Sequence, residues 1–269
     1  MALLSVGFVK EGIGKVYKRV LGEINDLGGL TFLVIDPPNQ LPEQAGRVAR
    51  VADENGVNAF AVGGSLGAQG TLLDETIKEL KENSSIPVIL FPGNIATVSP
   101  RADAIYYLSM LNSLDPYYIS GAQIAASMPV KKMGLEVIPT SYIIIDPGRA
   151  VGWVGRAKLI PRNLPYLAAA CALAGQFMGA HAVILESGGG ADSPAPVEMV
   201  RNVRETIDVP LVVAGGVRNE KFAYDTIKAG ADIIHVGAAI EQSSTDLKKS
   251  AEKISKITNA VKKAGKEKK

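Results

Sequence analysis

At 269 residues, with 47% apolar and 21% charged side chains, the chain is long enough for one large α/β domain and carries the charge expected of a soluble surface. Its one cysteine, Cys171, excludes an intramolecular disulfide framework, and no run reaches the ~18 apolar residues of a membrane span. The net charge of +2 hides an uneven split: nine lysines and two glutamates fall between Leu247 and Lys269, so the remaining body is mildly acidic and no nucleic-acid role is expected.

In chain order, an opening helix over 14–27 places Val16, Val20, Ile24 and Leu27 on one side. Apolar runs then recur at Leu30–Asp36, Ala59–Gly64, Pro87–Gly93, Ala104–Met110, Leu135–Ile145, Ala182–Ser187, Pro210–Gly216 and Ile233–Ala239. They are continuous rather than alternating, as strands buried on both faces should be. Helical spacing separates most of them, at Pro42–Asn55, Thr71–Glu82, Leu164–Met178, Val197–Ile207 and Lys221–Ala229, and a last helix is expected over Thr245–Ala264. Eight such alternations predict a single (β/α)8 TIM barrel over residues 1–261, preceded by an N-terminal helix. An open doubly wound sheet is the alternative, but no topological switch point is visible. The Lys-rich end, 262–269, is expected to be a disordered tail, either simply solvated or weakly drawn to anionic lipid headgroups as a peripheral membrane contact. Met1 to Lys15 lacks the order of a secretory signal, so a cytoplasmic location is expected.

In a parallel barrel the residues just after the strands form the active face. The last three exits are glycine-bearing: Glu186-Ser187-Gly188-Gly189-Gly190, Ala214-Gly215-Gly216-Val217-Arg218 and Val236-Gly237-Ala238-Ala239. Glycine lets backbone N–H groups approach an anion closely, so the three exits together read as a phosphate cradle, whereas any one alone reads as a turn. The first exit, Asp36-Pro37-Pro38, offers a hard oxygen ligand of the kind Mg²⁺ takes, and Ser65 lies at the next exit. A turn-capping Asp and a loop Ser are the plain alternative. The third and fourth exits, with Phe91, Ser109 and Asn112 followed by Tyr117 and Tyr118, either line an apolar groove or fill the barrel. His181, His235 and Cys171 read as structural residues.

Taken together, these segments resemble the geranylgeranylglyceryl phosphate synthase family, which includes bacterial heptaprenylglyceryl phosphate synthases. The matching stretches include Leu33-Val34-Ile35-Asp36-Pro37, Val62-Gly63-Gly64-Ser65, Leu90-Phe91-Pro92-Gly93-Asn94, Ser109-Met110-Leu111-Asn112-Ser113, Ile138-Pro139-Thr140-Ser141-Tyr142 and Val151-Gly152-Trp153-Val154-Gly155. They run with the late exits from about Leu30 to Gln242, and the Ser-Met-Leu-Asn-Ser and Asp-Pro-Gly segments look like the larger, mostly archaeal subgroup. The resemblance implies transfer of a prenyl chain from geranylgeranyl diphosphate to sn-glycerol 1-phosphate, with Mg²⁺ as cofactor and a homo-oligomer, dimer or hexamer, as the assembly. It implies that Asp36 and Ser65 hold the metal and that Glu186 contacts the glycerol hydroxyls as the catalytic group. It further implies that Ile184, Leu185, Glu186, Ser187, Gly188, Gly189, Gly190, Gly215, Gly216, Gly237 and Ala238 hold glycerol phosphate. Phe91, Ser109, Asn112 and Tyr142 would edge the prenyl groove. The sequence departs from the family pattern at Thr31 (commonly His), Asn39 (commonly Lys), Ile184 (usually Tyr) and Ala214 (usually Gly), which implies a cation missing beside the metal site and one hydroxyl missing from the phosphate side. An aldolase or isomerase acting on another phosphate ester is a competing reading. The strand runs hold no lysine for a Schiff base, which counts against an aldolase. A non-catalytic barrel that binds a phosphate ligand is the third.

Overall fold

A computed structural model describes residues 14–237, 240 and 246–269. Eight parallel strands close into a barrel in chain order: β1 (Leu30–Ile35), β2 (Ala59–Gly64), β3 (Val88–Pro92), β4 (Ala104–Met110), β5 (Glu136–Ile144), β6 (Ala182–Glu186), β7 (Leu211–Ala214) and β8 (Ile233–Val236). Closure is made by β1 against β8, with Leu30 opposite Ile233 and Leu33 opposite Val236. The helices are α1 (Lys15–Leu27), α2 (Pro42–Glu54), α3 (Gly70–Asn83), α4 (Ala122–Met133), α5 (Arg149–Val154), α6 (Pro165–Phe177), α7 (Val197–Arg204), α8 (Glu220–Lys228) and α9 (Leu247–Lys268). The expected (β/α)8 barrel is therefore the observed one. No described helix is long and apolar enough to cross a membrane.

Side chains alternate between two apolar layers, which is why the strand sequences read as continuous. Phe32, Ile89, Tyr106, Ile138, Ile184 and Val212 fill the barrel, while Leu33, Phe60, Leu90, Leu185, Val213 and Ile234 pack outward against the helices. The N-terminal end of the barrel is shut by α1. Tyr17 and Val20 join the interior cluster, and the Glu136 carboxylate accepts the N–H groups of Val16 and Tyr17, each at 2.8 Å. Tyr17 donates to the His181 carbonyl at 2.6 Å and stacks on the His181 ring, 5.5 Å between centroids. With one end plugged, a ligand can enter only from the C-terminal rim.

The Lys-rich end departs from expectation. Residues 262–268 are the last turns of α9 rather than a disordered tail, because the helix keeps an apolar stripe, Ile254, Ile257, Val261 and Ala264, buried to its end. Lys268 donates to Asp232 Oδ1 at 2.9 Å and Lys228 to the Glu267 carbonyl at 2.7 Å. Asp232 immediately precedes β8, so these lysines lie at the plugged end of the barrel, opposite the open rim.

Candidate active site

At the rim the strand exits enclose a cavity of about 550 Å³, within the usual size of a small-molecule site. Its polar floor runs from Asp36 and Ser65 past His235 and Tyr142 to Glu186 and the glycines of the β6 and β7 exits. From this floor an apolar arm passes Phe91, Tyr106 and Leu108 toward Val98, Ala122 and Ala126.

Asp36 follows β1 and opens a short 3-10 turn, Pro37–Asn39, whose two prolines fix its backbone. Its carboxylate lies across the end of β2: a methyl group added at Gly64 would sit 2.3 Å from Asp36 Oδ1. Only glycine there leaves the carboxylate room to face the cavity. Ser65, the next residue, brings a hydroxyl to the same rim. A carboxylate and a hydroxyl, both hard oxygens, form a partial set that suits Mg²⁺ completed by substrate oxygens and water. Among the described residues there is no cluster of three carboxylate, imidazole or thiolate ligands that would hold a metal alone.

Glu186 ends β6 facing the barrel axis and is 4% exposed. One carboxylate oxygen accepts the Gly188 N–H at 2.6 Å, and the other accepts the Tyr142 hydroxyl at 3.2 Å from the neighbouring strand. Burial pushes its pKa up from the ordinary 4.5 to about 7, against the opposing pull of those two hydrogen bonds. A carboxylate poised there is matched to proton transfer near neutrality. Burial also raises Tyr142 well above the ordinary phenol value, and the Glu186 charge adds to it, so Tyr142 stays a proton donor.

Gly215 (φ +74°) and Gly216 (φ +77°) take the left-handed conformation beside Glu186, and a methyl at Gly215 would lie 2.4 Å from Glu186 Oε1. In the β6 exit the Ala191 N–H bonds the Gly188 carbonyl at 3.0 Å, while the N–H groups of Gly189 and Gly190 bond no described residue. Those two amides, with the cavity-lining Gly215 and Gly216, make a glycine-rich rim of the kind that can receive an anion. Among the described residues Arg218 is the one cation that lines the cavity.

The PcrB family profile matches residues 29–260. The chain belongs to the PcrB family. It is 49% identical over 249 residues (93% of this chain, 97% of the relative) to a geranylgeranylglyceryl phosphate synthase of Pyrococcus horikoshii. To the synthase of the same name from Pyrococcus abyssi it is 50% identical over 250 residues (93% and 99%). Among solved structures, (S)-3-O-geranylgeranylglyceryl phosphate synthase from Thermoplasma acidophilum, in complex with substrate sn-glycerol-1-phosphate, superposes with a TM-score of 0.88 at 34% identity (93% of this chain, 99% of that one). The resemblance carried by the motifs is thus borne out.

Within this PcrB-family barrel the residues singled out from sequence divide by face. Asp36, Ser65, Phe91, Tyr142, Glu186, Gly189, Gly190, Gly215, Gly216 and Gly237 all line the cavity. Ala238 lies outside the described residues. Ile184, Leu185, Ser187 and Gly188 do not line it: Ile184 is barrel filling, Leu185 faces the helices, Ser187 is fully buried, and Gly188 acts through its N–H on Glu186. Ser109 and Asn112 are not groove residues. The Ser109 hydroxyl donates to the Ile119 carbonyl at 2.7 Å, and Asn112 bonds the Ile144 and Lys158 carbonyls at 2.8 and 2.9 Å, so both tie down the β4 exit. Thr31 corrects a second expectation. Strand alternation puts it on the outward face with Leu33 and Ile35, and its N–H bonds Asn58, so no cation is missing from the cavity at that position. Asn39 does line the cavity beside Asp36.

His235 is part of the cavity floor as well as of the core. Its Nε2 lies 3.3 Å from the Tyr106 hydroxyl, and its ring is stacked on Phe32 and meets Phe91 edge-on at 5.3 Å. Burial lowers its pKa to about 3, so the ring is neutral at physiological pH. The apolar groove expected at the third and fourth exits is present, with Phe91, Tyr117 and Tyr118 in its lining, but Tyr106 and Leu108 on β4 itself were not singled out from the sequence. The signal was there in Ala104-Ile105-Tyr106-Tyr107-Leu108-Ser109-Met110, where every second residue points inward.

Proposed function

We propose that the chain transfers a geranylgeranyl group from its diphosphate to the free primary hydroxyl of sn-glycerol 1-phosphate, forming an ether bond in archaeal lipid synthesis. The observation that carries this reading is the position of Glu186. It is buried at the junction of the glycine cradle and the apolar arm, with Asp36 and Ser65 on the same rim. The names of the relatives and the ligand of the Thermoplasma acidophilum structure agree with it.

On this reading the cradle fixes the glycerol phosphate by its phosphate, which selects the hydroxyl presented to the prenyl carbon. The hydroxyl oxygen forms the new bond to the allylic carbon as the bond from that carbon to the diphosphate oxygen breaks. The electron pair leaves with diphosphate, and Glu186 accepts the hydroxyl proton. Tyr142 and the Gly188 N–H orient the Glu186 carboxylate for this transfer. The Phe91, Tyr106 and Leu108 side excludes water and receives the chain. Bound Mg²⁺ would neutralise charge on the departing diphosphate, with Asp36 and Ser65 as its protein ligands. No lysine lines the cavity among the described residues, which counts against the Schiff-base alternative.

The test is incubation with labelled sn-glycerol 1-phosphate, Mg²⁺ and prenyl diphosphates of several lengths. Ether product that depends on both substrates is the expected result. Tight phosphate binding without ether product would refute the reading in favour of a non-catalytic barrel.

A further inference from the structure

We infer that Arg218 is a direct ligand of the substrate phosphate and that Arg149 is a positioning residue which holds the cradle's Gly190 carbonyl away from it. The inference rests on the proposed function and adds a charged component to a cradle otherwise built from backbone.

Two guanidinium groups from different exits converge on one carbonyl. Arg149 Nη2 donates to the Gly190 oxygen at 2.9 Å from the start of α5, and Arg218 Nη2 donates to the same oxygen at 3.1 Å from the β7 exit. The Ala191 N–H, on the other side of that peptide, bonds the Gly188 carbonyl. The Gly190–Ala191 peptide is therefore fixed at both its oxygen and its nitrogen. An anion cradle fails if a carbonyl turns its lone pairs inward, and an oxygen held by two cations has little reason to do so. Arg149 also packs its stem beneath the loop: a methyl at Gly188 would meet Arg149 Cβ at 2.6 Å. Behind the loop, Arg162 donates to Ser193 Oγ at 3.0 Å and to the Pro194 carbonyl at 2.6 Å.

The two arginines differ in what else they face. Arg149 is not a cavity residue, so it can act only through the loop. Arg218 lines the cavity, and its other contact is Asp192, at 3.3 Å, with side chains 43% and 92% exposed. Such an exposed pair is weak and screened by salt, so Arg218 can exchange Asp192 for a doubly charged phosphate at little cost. The remaining charges lining the cavity among the described residues, Asp36 and Glu186, are both acidic. Arg218 is what balances the substrate's charge at this end.

The test is calorimetric binding of sn-glycerol 1-phosphate and of inorganic phosphate, each without prenyl substrate, together with steady-state kinetics on the intact chain. Arg218→Gln is expected to raise the glycerol phosphate Kd and KM about tenfold or more, as loss of a charged hydrogen bond should. The KM for prenyl diphosphate should stay within about twofold. Arg149→Met keeps the stem packing and should weaken phosphate binding in the same direction but less, and Arg149→Lys should restore most of the loss. An unchanged Kd in Arg218→Gln, or a defect that falls on prenyl diphosphate instead, overturns the inference. If the wild-type chain binds inorganic phosphate in an Arg218-dependent way but forms no ether, the clamp stands and the proposed function falls. Binding of neither ligand by the wild-type chain overturns both.

Discussion

Replacing Glu186 with glutamine should make the protein more stable above neutral pH while removing most of its turnover. In the folded chain burial lifts this carboxyl from 4.5 to about 7, so the folded state prefers the protonated form. The sign follows from proton binding. Between the unfolded and folded values the folded state holds more protons, so the stability of the wild type falls as pH rises through that window. Above pH 7 the full penalty for a buried charge is present, on the order of 3 kcal/mol at 1.36 kcal/mol per pKa unit. Below pH 4.5 it is absent. Glutamine keeps the shape and an oxygen for the Gly188 N–H but carries no charge. Denaturant unfolding should therefore show Glu186→Gln more stable by about 1–3 kcal/mol at pH 8, with the difference shrinking toward zero as pH falls to 4.5. In the same preparations turnover should drop by roughly 10²–10⁴, the usual contribution of a positioned base. The wild-type rate should rise with pH through about 7, as the carboxylate forms. Equal stabilities at pH 8, or a variant with near-normal turnover, would refute the reasoning.

Three further outcomes are expected. Asp36→Ala should abolish Mg²⁺-dependent ether formation while leaving glycerol phosphate binding intact by calorimetry, since Asp36 stands at the β1 exit against Gly64 of β2, whereas the glycine cradle is built from the β6 and β7 exits. Gly215→Ala should lower activity by more than about 10² and weaken glycerol phosphate binding, because the new methyl at φ +74° would stand 2.4 Å from Glu186 Oε1; full activity would show that the loop yields. Deleting residues 262–269 should lower the Tm by several degrees. The deletion strips Ala264 and Gly265 from the α9 packing and the Lys268 contact from Asp232, a loss of about 1–3 kcal/mol; an unchanged Tm would restore the disordered-tail reading.

The fold and much of the site were legible in the sequence because their signals are local. A strand buried on both faces must be apolar throughout, and a backbone cradle must be glycine, so the eight runs and the late exits announce themselves in consecutive residues. Asp36 was legible for the same reason, through its place between a strand and two prolines.

What the sequence could not decide is which way a residue faces and what it meets across the barrel. Ser109 and Asn112 look like cavity residues in a linear reading. Only the turn after β4 shows that their polar groups bond the carbonyls of Ile119, Ile144 and Lys158. Thr31 and Asp36 are five residues apart, yet alternation along β1 puts them on opposite faces. The Tyr142–Glu186 bond joins residues 44 apart through the β5–β6 register, and the arginines on Gly190 come from the start of α5 and the β7 exit, 41 and 28 residues away. The lysines of α9 read as solvated, but one of them finds a buried carboxylate 36 residues upstream. Hydrophobic pattern and glycine placement act over a few residues and are written in the chain. Polar partnership and cavity shape depend on distances that exist only once the barrel has closed.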